Sequence, residues 1–233
     1  MLLGKYYFAG KKNGQNHPIH SFQYSLKCLL HLWELEIILK VPAFTLKEFQ
    51  CRTLPYEEWN PVESLFLRWT AAEALFTYFK LQGTTAREPW AYDDDAVKSF
   101  RELAELRYSL MPYILSEAEK AVQKRIPLSR PLVMAYPDDL NVMNIEDEFM
   151  FGSSLLVAPI LTEDGRRSIY LPEGEWVYFY DNKAYQGKQW VMKEEEFNRV
   201  PFFIRKGTSL DIIEGEGRNL QDYLRLPRVK RTF

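Results

Sequence analysis

The chain has 233 residues, 46% of them hydrophobic and 15% aromatic, enough to bury one large core or two modest ones. Thirty basic against thirty-two acidic residues leave a net charge of -2, which excludes a global field drawing the chain to nucleic acid or an anionic membrane. The expected partner is neutral.

Two cysteines, Cys28 and Cys51, are too few for a disulfide scaffold and fit a reducing, cytoplasmic setting. Near the N-terminus, Lys11, Lys12, Asn13 and Gly14 occupy the place where a secretory signal needs its apolar centre, so export by that route is not expected. The most apolar window, Leu26 to Phe44, contains Lys27, His31, Glu34, Glu36 and Lys40. Charged residues at a bilayer centre cost about 2.5 to 3.5 kcal/mol each, so no membrane span is expected there.

In chain order, residues 1 to 60 carry the weakest pattern. Leu26, Leu29, Leu30, Trp33 and Ile37 share a helical stripe, while Trp33 to Leu39 also alternate like a strand; the helix is the preferred reading, ended by Pro42. From Asn60 a capped helix is predicted to about Tyr78, through Leu65, Phe66, Trp69, Ala72, Leu75 and Phe76. Gly83, Thr84 and Thr85 open a loop that carries Arg87, Glu88, Pro89 and Trp90. A long helix is predicted from Ala96 to about Gln123, capped by the triplet Asp93 to Asp95 and kinked at Pro112, whose nitrogen cannot donate. The stretch Pro131 to Tyr136 reads as strand or buried helix, and Pro137, Asp138 and Asp139 as a turn.

Beyond Gly152 the pattern is one of short strands. SSLLVAPIL, RSIYLP, EWVYFY, KQWVM and RVPFFIRKG are separated by DG, EG, DNKAYQG and EEEFN, which predicts an antiparallel sandwich. Trp176, Tyr178 and Tyr180 alternate with Val177, Phe179 and Asp181. The basic tail, Arg225 to Arg231, reads as a solvated end.

Several ordered motifs resemble the retaining α-glycosidases of glycoside hydrolase family 31. They are Arg68 with Trp69; the loop from Gln82 to Trp90 with its Arg87-Glu88-Pro89-Trp90 run; and Arg107, Leu110, Pro112 and Tyr113. Arg130 to Leu132, Gly152, Leu155 to Pro159, Tyr170 to Pro172, Gly174 and Trp176 complete the set. The match spans residues 63 to 207. The resemblance implies an α+β chain: a C-terminal remnant of a (β/α)8 TIM barrel followed by an antiparallel β-sandwich domain. The implied divisions are an unassigned segment 1–60, the barrel end 61–150, and the proximal C-terminal sandwich 151–233. It also implies action on terminal α-glucosides or α-xylosides with retention, hence an α-linked oligosaccharide or glycoside as partner.

Two departures bear on activity. Gln82 stands where the family places a sugar-contacting histidine, and an amide still donates to a hydroxyl but carries no charge. Gln82 is therefore the one candidate substrate-binding residue. The family's nucleophilic and acid aspartates belong to earlier barrel strands, and its aspartate-glycine-glycine segment would fall near Cys51 to Glu57, which reads CRTLPYE. No catalytic residue is assigned. The expectation is a truncated chain, inactive alone, with two alternatives: a subunit completing an active site with a separate chain that supplies the rest of the barrel, or a non-catalytic carbohydrate-binding sandwich.

Other constellations have simpler readings. Retaining hydrolysis needs two carboxyls about 5 to 5.5 Å apart across the sugar, and Asp93 to Asp95 suit a helix N-terminus better. Glu194 to Glu196 read as a solvated loop. His17 with His20 and Cys28 with His31 give only two ligands each, short of a zinc site, so neither metal nor cofactor is expected. Trp176, Tyr178, Tyr180 and Trp190 are candidates for stacking on sugars, core packing being the commoner fate of such residues.

Overall fold

The computed structural model describes residues 9–12, 15–18, 63–80, 88–162 and 164–233. The chain divides into two compact units, 1–38 and 39–233. In the first, β1 (Ala9–Lys12) pairs antiparallel with β2 (Gln15–Pro18), Lys12 opposite Gln15. The helix or strand anticipated between Leu26 and Leu39 lies outside the described residues.

The second unit begins with α1 (Glu63–Ala74) and, after a 3-10 turn at Pro89–Ala91, continues with α2 (Asp94–Ser109) and α3 (Met111–Lys124). The stop at Ala74, short of Tyr78, has a polar cause. Arg107 reaches from α2 to donate to the carbonyls of Ala74, Phe76 and Thr77 at 2.9, 2.7 and 3.2 Å, satisfying acceptors that continuing turns would have used. Asp93 caps α2 by accepting from Ala96 N at 2.7 Å, and Asp94 and Asp95 fill its first turn. Pro112 does more than kink the helix. The ladder breaks at Leu110, and α3 restarts with the proline in its first turn, where the missing donor costs nothing. Arg125, at φ 55°, closes α3 in the left-handed conformation.

A six-stranded sheet forms the centre of the fold. Its order is β3 (Ser129–Pro131), β4 (Phe149–Phe151), β5 (Leu155–Val157), β10 (Phe202–Arg205), β7 (Glu175–Tyr178) and β8 (Ala184–Gln186), with every pair antiparallel. Two of its strands thus begin before position 151. Pro131 leads directly into the helical turn α4 (Leu132–Ala135), so the ambiguous stretch after Ser129 is strand and then helix.

Both faces of the sheet are buried along β4, β5 and β10. Phe149, Phe151, Leu155, Val157, Phe202 and Ile204 point toward the helices and pack with Leu75, Leu103, Leu110, Tyr113 and Ile114. Met150, Leu156, Trp176, Tyr178 and Phe203 point the other way and pack with Ile169, Tyr170 and Leu171. The latter belong to β6 (Arg166–Leu171), which pairs with β9 (Gln189–Glu194) as a separate ribbon. Alternation along each strand puts the two sets on opposite faces, and the register aligns them across strands, Phe149 with Val157 and Phe202, Met150 with Leu156 and Phe203.

One sequence expectation is corrected here. DNKAYQG, read as a separator, contains β8, whose strand pairs with Val177 and Trp176 of β7. The basic tail is solvent-exposed, as expected, and forms a strand: β12 (Arg228–Thr232) pairs along β11 (Ser209–Ile213) after the short helix α5 (Leu220–Arg225).

Candidate functional site

The residues that single out this chain converge on the junction between the helices and the sandwich, where most act as joints. Arg68 of α1 is buried and donates to the carbonyls of Glu195 and Glu196 at 2.8 and 2.9 Å, its guanidinium lying 4.4 Å over the ring of Phe197. Glu195 also accepts the Tyr178 hydroxyl, which burial and the adjacent carboxylate hold well above the usual phenol range. The stretch expected to be a solvated loop is therefore a tie between barrel end and sandwich. Asn198 adds a second tie, donating to Glu102 of α2.

Tyr113 donates to the carbonyl of Phe151 at 2.7 Å and accepts from Ser154 N at 3.1 Å; Glu117, buried, accepts from Ser153 N and pairs with Lys120, both at 2.7 Å. These bonds seat the β4–β5 turn on α3. Gly152 in that turn has φ +69°, and a Cβ there would meet Tyr113 Oη and, at 2.7 Å, Glu117 Cγ, which is why glycine occupies the position. Arg130 donates to the carbonyl of the same glycine. A cleft of about 220 Å3 opens beside this turn, lined by Glu117, Lys120, Lys124, Arg130 and Ser153 among others. Its acid is already committed to Lys120 and a backbone amide.

Residues 81–87, which include Gln82 and Arg87, lie outside the described residues, so the placement of Gln82 is not part of the geometry. Both ends of that loop are anchored. On the entering side Phe79 stacks on Phe100 with centroids 5.7 Å apart, and Thr77 Oγ1 meets Ser129 Oγ at 2.9 Å. On the leaving side Pro89 is buried and Tyr92 stacks on Phe66 at 4.3 Å. Trp90 projects outward, 74% exposed, and Tyr78 is 58% exposed.

Among the described residues, two carboxyls are raised toward neutrality. Glu73, on the last turn of α1, is pushed up to about 7 by burial, with Lys80 N donating to it at 3.3 Å. Glu148, fully buried, is also raised to about 7 because burial outweighs the attraction of Arg167, 3.1 Å away; Tyr170 N donates to it at 3.0 Å. A protonated carboxyl near neutral pH is what a general acid requires. These two share no partner, however: Glu73 belongs to the helix layer and Glu148 to the base of the ribbon. Sequence reasoning singled out neither; the one available signal was an acid inside an apolar run, TAAEALF and EDEFMF respectively. Among the described residues no group of three or more His, Cys, Asp or Glu is placed to hold a metal ion. No helix among them is long and apolar enough to cross a membrane.

Of the four aromatic candidates for sugar stacking, Trp176 and Tyr178 are buried in the sandwich core and Tyr180 is half-buried with its hydroxyl bonded to Val200 O. Trp176 has a structural task, donating from Nε1 to Pro172 O at 2.8 Å under the guanidinium of Arg205. Trp190 alone of the four is largely exposed.

Comparison with known proteins fits this geometry. Residues 44–117 match the model of the glycosyl hydrolases family 31 TIM-barrel domain, and residues 125–210 that of the glycosyl hydrolase family 31 C-terminal domain. An α-xylosidase of Emericella nidulans is 34% identical over 160 residues, covering 65% of this chain and 20% of the relative. Alpha-glucosidase 2 of Bacillus thermoamyloliquefaciens is 32% identical, again over 65% of this chain and 20% of the relative. A dextranase structure from Flavobacterium johnsoniae, in complex with isomaltotriose, superposes with a TM-score of 0.62 at 31% identity, over 65% of this chain and 19% of the dextranase. The chain thus spans about a fifth of the length of these relatives. With both domain models matched in order and more than half the residues covered, the chain belongs to glycoside hydrolase family 31 and corresponds to its C-terminal portion, the end of the TIM barrel followed by the C-terminal β domain.

Proposed function

We propose that this chain is scaffold for α-glucoside or α-xyloside hydrolysis and does not catalyse it by itself. Retaining hydrolysis requires an ionised nucleophile and a protonated acid about 5 to 5.5 Å apart, on either side of one bond. The observation that carries the reading is that the two carboxyls raised toward neutrality, Glu73 and Glu148, are held by separate partners in separate layers. The family's reacting aspartates belong to barrel strands earlier than Arg68 and Trp69. The test is hydrolysis of an aryl α-glucoside and an aryl α-xyloside by the purified chain. No turnover above buffer is expected; turnover that co-purifies with the chain contradicts the proposal.

A second reading, assembly with a polypeptide that supplies the earlier barrel strands, is favoured by the exposed aromatics Tyr78 and Trp90 flanking the loop. Large apolar side chains left in water at a barrel end are stabilised by about 25 cal/mol for each Å2 that a neighbour covers. Mixing the chain with a segment carrying those strands is expected to restore turnover, and turnover that stays absent in a stable complex contradicts this reading.

A further inference from the structure

The outer face of the β6–β9 ribbon carries a surface that neither the joints nor the cores use. Trp190 is 53% exposed, and its register partner across the ribbon is Tyr170, 2% exposed, with ring centroids 5.2 Å apart and planes tilted by 52°. A buried tyrosine thus props an exposed indole. The prop is itself fixed: the Tyr170 hydroxyl donates to Asp139 Oδ2 at 2.7 Å and accepts from Asn141 Nδ2 at 3.1 Å, while Asp139 Oδ1 accepts from Asn141 N at 3.0 Å. A rigid, pre-placed aromatic loses little entropy when a ligand settles on it.

Two residues along the same face of β9 stands Met192, 68% exposed, opposite the exposed Ser168. Strand geometry separates the two side chains by about 7 Å, close to the span of one or two pyranose rings. The charges at the rim are matched: Arg166 with Glu194 at 2.9 Å, Lys188 with Glu173 at 2.9 Å. An apolar strip edged by hydrogen-bonding groups with paired charges complements a neutral polyhydroxylated ring, whose C–H face stacks on the indole while its hydroxyls meet the rim. Two exposed apolar side chains fall far short of the roughly 800 Å2 per partner that a specific protein interface buries. Both side chains lie exposed along one strand face, a linear layout that suits the flank of a chain better than its end.

We propose that the Trp190 face binds an internal stretch of an α-linked glucan. The choice of α-linked glucan rests on the functional reading above; the aromatic platform does not. Affinity electrophoresis of the whole chain through gels containing dextran or glycogen tests it, with the β-linked glucan laminarin as control and Trp190→Ala, Trp190→Phe and Trp90→Ala as variants. Retardation by the α-glucans is expected, weakened about tenfold or more in Trp190→Ala, partly kept in Trp190→Phe and unchanged in Trp90→Ala. Thermal unfolding of Trp190→Ala near that of the parent shows that the variant is folded. Retardation unaltered in Trp190→Ala overturns the site while leaving the α-glycoside reading intact. Retardation by laminarin alone overturns the α-linked assignment. Absence of retardation in any gel, or concentration-dependent self-association abolished by Trp190→Ala, overturns the proposal outright. The aryl-glycoside assay is independent of all these outcomes.

Discussion

The six-stranded sheet and the barrel end at α1 achieve burial in opposite ways. Three neighbouring strands of the sheet, β4, β5 and β10, are covered on both faces, by helices on one side and the ribbon on the other. Around the start of α1, by contrast, Phe66, Leu67 and Ala96 form a small separate cluster, and Tyr78 and Trp90 face water. Ala71, Ala74 and Leu75 join the core under the sheet, and charged and polar joints add to that anchorage: Arg68 to the loop after β9, Arg107 to the end of α1, Asn198 to Glu102. The central strands are covered on two sides, whereas the start of α1 relies on a small cluster and on polar ties.

Changes in the two regions should therefore differ in size and reach. Trp176→Ala empties a fully buried site in the sandwich and is expected to cost about 3 to 5 kcal/mol, read as a lowered urea midpoint for the whole unit. Gly152→Ala puts a Cβ against Glu117 Cγ at a left-handed backbone position, and a loss of about 2 to 3 kcal/mol is expected in the same experiment. Arg107→Met removes three hydrogen bonds to carbonyls and is expected to cost about 1.5 to 3 kcal/mol, with the loss confined to α1 by hydrogen exchange. An equal loss of protection in β10 would break the distinction between the regions.

The pH dependence sharpens it further. Because Glu148 has a folded pKa of about 7 against an ordinary value of 4.5, the native state holds the extra proton between those values. Stability contributed by the protonated form is therefore present below about pH 4.5 and lost as pH rises toward 7, at up to about 1.4 kcal/mol per pH unit for one group. Glu148→Gln keeps an acceptor for Tyr170 N and is expected to flatten that slope in urea unfolding at pH 5, 6 and 7. At the small end, Arg166→Ala breaks a pair exposed on both sides and is expected to leave the midpoint unchanged.

Much of this arrangement is legible in the sequence, for particular reasons. Asp93 before an amphipathic stripe marks the start of α2, and Pro112 marks the break before α3, since capping and a missing donor are local effects. The strands at LLV and FFI announce themselves by composition and turn residues rather than by alternation, apolar throughout because both faces are covered; FMF shares that composition but lies before Gly152, where the pattern predicts no strand. β8 has no such signal, with its residues exposed or half-exposed. Long-range polar contacts leave the weakest trace. Nothing in the run Glu194 to Glu196 reveals that Glu195 receives the Tyr178 hydroxyl and Arg68, and nothing near Trp33 to Leu39 resolves helix from strand. Among the aromatic candidates, core and surface separate only in three dimensions, since Trp176 and Trp190 each occupy a short strand flanked by polar residues.

Native-state hydrogen exchange, followed amide by amide as a function of low denaturant concentration, tests the contrast most directly. Amides of β5, β7 and β10 are predicted to exchange only through global unfolding, while those of α1 and the turn at Pro89–Ala91 open at lower free energy with the sheet intact. Protection of α1 equal to that of β10 would contradict the account, by showing that the barrel end is held as firmly as the centre of the sheet.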